Sequence, residues 1–532
     1  MTGLHLAFLI VFIGFLFVRT YTLLTYFQQE EYDSKRFLSS FIKIGLIDVL
    51  YTLSLILVFW VYTIIGQESI AVVIAILAAV IIGIKEFSYK YKKKLAFTNR
   101  ARRIFTLTWT FTIIVTLAIS QSLQFNFLAF ILALQIVPFL IILANLCLRP
   151  LQEKINQRYI NEARDKLYVY DGIKIGITGS FGKTTVKTIL AYILSSTSNV
   201  FHSPGSINTV LGLTRHIRQR LQPSQDVFIA EMGAYGIGSI QRLSEFIMPE
   251  YAIITSVGNA HSERFGNLQN TAKAKSELAQ WICKNGAKVV IPEELLVHEA
   301  FKLLYDQYPD KFLICGYNQS CDVQIHNTQK MHLGWKVKLS FNYLSSETHE
   351  FKLPLYGKHN HMNLCVCLAM FSLLYPNSLP IARAVSSTIP QTPHRLQIKA
   401  LPGSHILIDD AYNSNKTGFK NAVEVLQELA KKNRGRAILI TPGIAELGEG
   451  HDEVHAELGE FCASRCDQIF VVNGARIPSF VAALEASNQA TFKMFESFTD
   501  AKSALSEINI TEDDVVLLEN DLPDILEVKR FL

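Results

Sequence analysis

The residues best placed to do chemistry are a lysine and two threonines behind a pair of glycines, in Thr178-Gly-Ser-Phe-Gly-Lys-Thr-Thr185. Apolar residues 173–177 precede this run and read as a buried strand, and the apolar spacing of 186–194 suits a helix. A strand, a glycine-containing turn and a helix N-terminus together make a phosphate cradle, because backbone N–H groups and the helix dipole converge on the anion. Thr178, Gly179, Ser180, Gly182, Lys183, Thr184 and Thr185 would line it. Lys183 would meet the β- and γ-phosphates, and the Thr184 hydroxyl would be a Mg²⁺ ligand. Ile177 stands where the full phosphate-loop pattern has its first glycine. The reading is an ATP and Mg²⁺ site; the plain alternative is an ordinary strand-to-helix turn.

Other polar residues fall at strand ends, where ligands gather in an open parallel sheet. Glu231 ends an apolar run at 227–230, and His261 follows another at 251–255. Lys275 lies in Thr271-Ala-Lys-Ala-Lys-Ser-Glu277, which reads as a helix start, and Asp409 and Asp410 close the run 405–408. Each alone is as well explained by a helix cap or a structural histidine. Their order behind the phosphate loop is what favours function.

The elements that must position these residues divide the chain. Residues 1–150 are read as a transmembrane region of about five α-helical spans, at 4–24, 42–65, 70–84, 104–120 and 125–148; the third is short and could be re-entrant. A removable signal peptide is not expected, because the first stretch lacks a basic leader and a small-residue cleavage site. The stretch from Lys85 to Arg103 carries eight Lys or Arg against Glu86 alone, which keeps that loop in the cytoplasm and places everything after Arg149 there too. The net charge of +5 is largely this loop, so it speaks for topology and membrane-lipid contact rather than for nucleic acid. The eight cysteines form no C-x-x-C pair and suit a reduced compartment. Residues 151–170 read as a helical connector. Strand-like runs alternating with helical patterns then give a P-loop parallel-sheet ATPase domain over 171–392, with an antiparallel addition at 322–353. A C-terminal Rossmann-like α/β domain is expected over 393–532.

Eight segments carry a resemblance. They are the phosphate loop, Glu231-Met-Gly-Ala, Ile254-Thr-Ser-Val-Gly-Asn-Ala-His261, Phe265-Gly-Asn-Leu with Ala272-Lys-Ala-Lys275, Tyr356-Gly-Lys-His-Asn-His-Met-Asn363, His394-Arg-Leu-Gln397, Ile408-Asp-Asp-Ala-Tyr-Asn413 and Glu446-Leu-Gly-Glu449. In this order they resemble the Mur ligase family of ATP-dependent amide-forming enzymes, and most of all its D-alanyl-D-alanine-adding branch. The resemblance implies an acyl-phosphate mechanism with ATP and Mg²⁺. It implies that Thr184 and Glu231 hold one metal ion and His261 a second. Lys275 is then the lysine carbamylated by CO₂ into a further metal ligand, with Lys273 the neighbouring alternative. Lys183, Lys275 and His261 would be the catalytic residues. His359 and Asn360 would lie around the adenine with Asn363 supporting their turn, Arg395 would meet phosphate, Asp410 the ribose and Tyr412 the base.

The chain departs from the family in three respects. The membrane region stands where the family carries its UDP-sugar-binding domain. The family's Gly-Asp-Met reads Pro442-Gly-Ile, and its Lys-Gly-Ser-Arg reads Glu519-Asn-Asp-Leu522, with Asn415-Lys416 for an expected Asn-Pro. Exchange of basic for acidic residues disfavours an amine substrate bearing a free carboxylate. The expected function is therefore a membrane-anchored ligase in cell-wall or envelope synthesis, multi-pass in the inner membrane with its catalytic domains in the cytoplasm. Its partners would be a lipid- or UDP-linked carboxylate acceptor and an amino acid or dipeptide. The alternatives are a polyamino-acid synthase like the poly-γ-glutamate makers, or a non-catalytic membrane ATPase or scaffold.

Overall fold

Alternating apolar runs and amphipathic helices can bury both faces of a parallel sheet, and the chain builds two such sheets. The computed structural model describes residues 3–44, 49–88, 94–122, 127–258, 265–400, 403–412, 414–445, 447, 450–487 and 489–522. One unit reaches to Ile155 and the other is Asn156–Asp521.

The second unit holds both sheets. The first has β1 (Ile173–Thr178), β2 (Val200–His202), β3 (Val227–Glu231), β4 (Tyr251–Ile254), β5 (Lys288–Pro292), β6 (Phe312–Gly316), β7 (Val323–Lys330), β8 (Trp335–Phe341) and β9 (Ser345–Leu353). Their order is β2-β3-β1-β4-β5-β6-β7-β8-β9. Pairing is parallel through β6–β7 and antiparallel from β7 to β9. The parallel strands are apolar on both faces, and β3 is buried at every position. The expected antiparallel addition is therefore a continuation of the same sheet. The second sheet has β10 (Gln397–Ala400), β11 (Ile406–Asp410), β12 (Ala437–Thr441), β13 (Gln468–Val472), β14 (Thr491–Phe495) and β15 (Val515–Glu519), ordered β10-β11-β15-β12-β13-β14. Only β10 runs antiparallel. The short β2, β10 and β14 are not anticipated from the sequence, because three to five residues with mixed polarity carry too little period-2 signal.

In the first unit the described helices are Gly3–Gln29, Ser34–Ile44, Val49–Ile65, Glu68–Phe87, Asn99–Ser122 and Phe127–Gln135, followed by Val137–Tyr168, which carries the chain onward. Phe8, Phe12, Phe27, Tyr51 and Phe130 are fully buried among them. Among the described residues three helices are long and apolar enough to cross a membrane: Gly3–Gln29, Glu68–Phe87 and Asn99–Ile119. That is fewer than the five expected. The third apolar stretch gains length from flanking residues and qualifies as a 20-residue helix. The fifth is interrupted at Ile136, just before Pro138, which has no N–H to donate and favours a fresh helix start. The second leaves an apolar helix, Val49–Ile64, below crossing length. The expected connector is the polar half of Val137–Tyr168, which runs through Pro150.

Candidate active site

The phosphate loop is shaped by a packing contact that only glycine permits. A Cβ on Gly179 would stand 1.9 Å from Thr255 Oγ1, so the loop lies directly on the residue after β4. Ser180 N donates to Ser256 O at 2.9 Å and Phe181 N to Ser256 Oγ at 2.9 Å, which fixes the turn. Gly182 then adopts φ +81° and opens the helix Lys183–Leu194. The N–H groups of its first turn lack intrahelical acceptors and face the space beyond the strand ends. Lys183 Nζ donates to Gly179 O at 2.6 Å and to Ser180 O at 3.3 Å, folded over the loop. Burial pushes its ammonium down to about 8, despite the opposing pull of Glu231.

Thr184 Oγ1 donates to Glu231 Oε2 at 3.1 Å, joining the helix to the end of β3. Glu231 is buried, and its other oxygen accepts from Asn208 Nδ2 at 3.3 Å. A carboxylate and a hydroxyl at one point are hard oxygen donors suited to Mg²⁺, so these residues fit the divalent cation of the sequence reading. Lys275 is also buried, and desolvation followed by the charge of Lys183 lowers its pKa well below the ordinary lysine value. It is not at a helix start. The helix Leu268–Asn285 is capped by Asn267, whose side chain accepts from Asn270 N at 2.8 Å, and Lys275 lies two turns in. His261 lies outside the described residues, as do Asn413, Glu446, Gly448 and Glu449.

Asn360 is buried at the start of the helix Asn360–Leu374. It donates to Tyr356 O at 2.6 Å and accepts from Asn363 Nδ2 at 2.8 Å. Asn363 Oδ1 lies about where a Gly182 Cβ would touch it, at 3.0 Å, so this turn buttresses the phosphate loop. His359 is exposed beside it.

The second sheet supplies the rest. The Arg395 guanidinium lies 4.1 Å from the centre of the Tyr412 ring and within electrostatic reach of Asp410, Glu231 and Lys183. Tyr412 Oη donates to Ser206 Oγ, so the residues after β11 reach the segment after β2. Asp410 accepts from Leu396 N at 2.9 Å, and burial raises its pKa to about 6. Glu519, its register partner on β15, is fully buried and held well above the usual carboxylate range by burial and by Asp410.

The sequence pattern of the Mur ligase middle domain matches residues 177–371, and that of the Mur ligase glutamate ligase domain matches 394–519. This chain belongs to the Mur ligase family. Members of that family are ATP-dependent ligases that form carbon–nitrogen bonds. The chain is 25% identical over 353 residues to the UDP-N-acetylmuramoyl-tripeptide–D-alanyl-D-alanine ligase of Bacillus subtilis, covering 65% of this chain and 72% of that one. To the Escherichia coli protein of the same name it is 29% identical over 286 residues, covering 54% and 61%. The chain thus spans between three-fifths and three-quarters of these relatives' length. In fold it is similar to MurF from Acinetobacter baumannii, with TM-score 0.58 at 22% identity, covering 70% of this chain and 78% of that one. A MurF ligase from Thermotoga maritima in complex with ADP gives TM-score 0.57 at 23% identity, covering 70% and 82%.

Within this Mur ligase, two site-lining residues escaped the sequence reading. Lys187 is hidden by its place in an apolar helix run, although it lies one turn beyond Lys183 on the same face. Asn208 sits in a loop with no motif around it. Glu519, read in the sequence as one of the acids replacing a basic stretch, lies beside Asp410.

Proposed function

We propose that this Mur ligase is a membrane-anchored ATP-dependent ligase that joins a carboxylate-bearing acceptor to an amine in cell-wall synthesis. The observation that carries this reading is the convergence of Lys183, Thr184 and Glu231 at the ends of β1 and β3, with Lys275 buried beside them. In the reaction a substrate carboxylate oxygen attacks the γ-phosphorus of ATP and ADP leaves. The amine nitrogen then attacks the acyl carbon, phosphate leaves, and the nitrogen's extra proton passes to solvent. Lys183 and the first-turn N–H groups hold the phosphates and offset charge growing on their oxygens. Bound Mg²⁺ supplies further neutralisation there, and Thr184 and Glu231 would hold it. Carbamylated, Lys275 would become a second anionic ligand, with His261 as its companion. Arg395, Asp410 and Tyr412 close the nucleotide site from the second sheet; His359 and Asn360 stand near its base end.

The proposed division is a membrane region at 1–150, a connector at 151–170, the ATP-binding domain at 171–392 and the closing domain at 393–532. Three crossing-length helices support anchoring. The basic stretch after Lys85, with a return crossing by the apolar stretch 125–148, supports a cytoplasmic face for the enzyme. The relatives' names point to a UDP-linked muramoyl tripeptide and D-alanyl-D-alanine, and to one amide rather than a polymer. The membrane region in place of a UDP-sugar domain points instead to a lipid-linked acceptor.

ADP release by detergent-purified protein, with soluble and lipid-linked muramoyl peptides crossed against D-alanyl-D-alanine and single amino acids, tests the proposal. Amide product that vanishes in Lys183→Ala is expected. In Lys275→Ala, short carboxylic acids should restore part of the activity. Absence of any acceptor-dependent ADP release across the panel would overturn the ligase reading.

A further inference from the structure

Lys187 is a lysine with 1% of its side chain exposed. Its Nζ donates to Glu231 Oε2 at 2.9 Å, to Gly205 O, and to Ser203 Oγ at 3.5 Å, which uses all three of its donors. Glu231 Oε2 also accepts from Thr184 Oγ1 at 3.1 Å, and Oε1 from Asn208 Nδ2 at 3.3 Å. The proposed metal carboxylate is therefore already paired with a cation from the chain itself. A buried carboxylate and a buried ammonium are each costly alone, so each depends on the other. The same ammonium ties down the loop between Ser203 and Asn208, whose Ser206 accepts from Tyr412 Oη of the second sheet.

We propose that Lys187 is a resident counter-ion that holds Glu231 ready at the metal site and shares it with the divalent cation when nucleotide brings one. It is a positioning residue, with no donor left for phosphate. Two consequences follow from electrostatics. With Lys187 present the Glu231 carboxylate is already paired with a cation, so metal alone adds little to stability. With Lys187 removed, Glu231 loses its only directly bonded cation among the described residues and keeps the more distant charges of Lys183 and Arg395, so a divalent cation can stabilise it. The inference rests on the metal role given to Glu231 above.

The test is thermal unfolding of the full detergent-purified chain without nucleotide, in chelator, in millimolar MgCl₂ and in NaCl of equal ionic strength. Wild type is expected to show the same midpoint in all three. Lys187→Met should melt lower in chelator by on the order of 5 °C and recover mostly in MgCl₂ but not in NaCl. The double variant Lys187→Met/Glu231→Gln removes both charges, so it should regain most of the loss and ignore MgCl₂. A Lys187→Met protein that melts like wild type, or whose loss neither MgCl₂ nor Glu231→Gln relieves, overturns the proposal. Should Lys187→Met fail to fold, the double variant is still expected to fold; its equal failure also overturns the proposal. Ligase activity separates the two readings. An active wild type with a magnesium-indifferent Lys187→Met defeats the counter-ion alone. A magnesium-rescued Lys187→Met in a protein that makes no amide defeats the ligase reading alone.

Discussion

Gly179→Ala is the sharpest perturbation of the phosphate loop. The new methyl would stand 1.9 Å from Thr255 Oγ1 and 3.1 Å from both Thr255 Cβ and Ser256 N, at a residue whose φ is +156°. Ordinary contact needs ~3.5 Å, so the loop or Thr255 must give way by roughly 1.5 Å. Thr255 cannot swing freely, because its Oγ1 donates to Phe181 O at 2.5 Å inside the same loop. The shift therefore falls on the backbone that aims Lys183 and Thr184. A misplacement of ~1 Å can cost ~100-fold, about 2.7 kcal/mol of transition-state stabilisation. We expect kcat/KM for ATP to fall about 100-fold, with fluorescent-nucleotide affinity falling in parallel. Thr255→Ala in the same background removes the nearest atom but leaves Ser256 N in place, and should recover about tenfold. Wild-type nucleotide affinity in Gly179→Ala, or no recovery on adding Thr255→Ala, would refute the packing argument.

Three further outcomes are expected. Lys183 is driven toward neutrality by burial, so affinity of the free protein for nucleotide should drop as pH rises through about 8; because the neutral form is the one the fold prefers, folding stability should not fall with it. Titration calorimetry from pH 7 to 9.5 checks this, and Lys183→Arg should bind weakly with a flat profile. Asp514 is buried, a change that alone would raise its pKa, yet Arg436 Nη2 at 2.7 Å and the N–H groups of Arg436 and Thr511 at 2.8 Å hold it well below the usual carboxylate range. Its stabilisation is present above the unfolded pKa and lost as pH falls below it. Asp514→Ala should cost ~2–3 kcal/mol near neutrality in urea unfolding and flatten the decline that begins at about pH 5 and continues below the usual carboxylate range. For topology, cysteine at Gly66 should react with an impermeant maleimide from outside intact cells, and cysteine at Ser88 only after permeabilisation; the reverse pattern would overturn the orientation read from the basic loop.

Local signals account for much of the site. The phosphate loop, Glu231 at the end of β3 and Asp410 at the end of β11 were all readable, because strand ends and glycine turns leave short-range marks. Lys275 was read at a helix start, whereas Asn267 caps that helix about one turn before Thr271 and leaves Lys275 in its interior. The apolar stretches were legible as composition, while the helix end at Gln135 divided the last of them.

By itself the sequence determined that a glycine-lysine-threonine turn, a strand-end carboxylate and several long apolar stretches share one chain, since these depend on residue type and near neighbours. Tertiary structure alone decided that Lys187 neutralises Glu231, 44 residues away, and that Tyr412 reaches Ser206, 206 residues away. The reason is physical. A buried lysine in an apolar helix looks like any interrupted core position until the sheet brings a carboxylate to its ammonium, and no local pattern records which distant group will meet it.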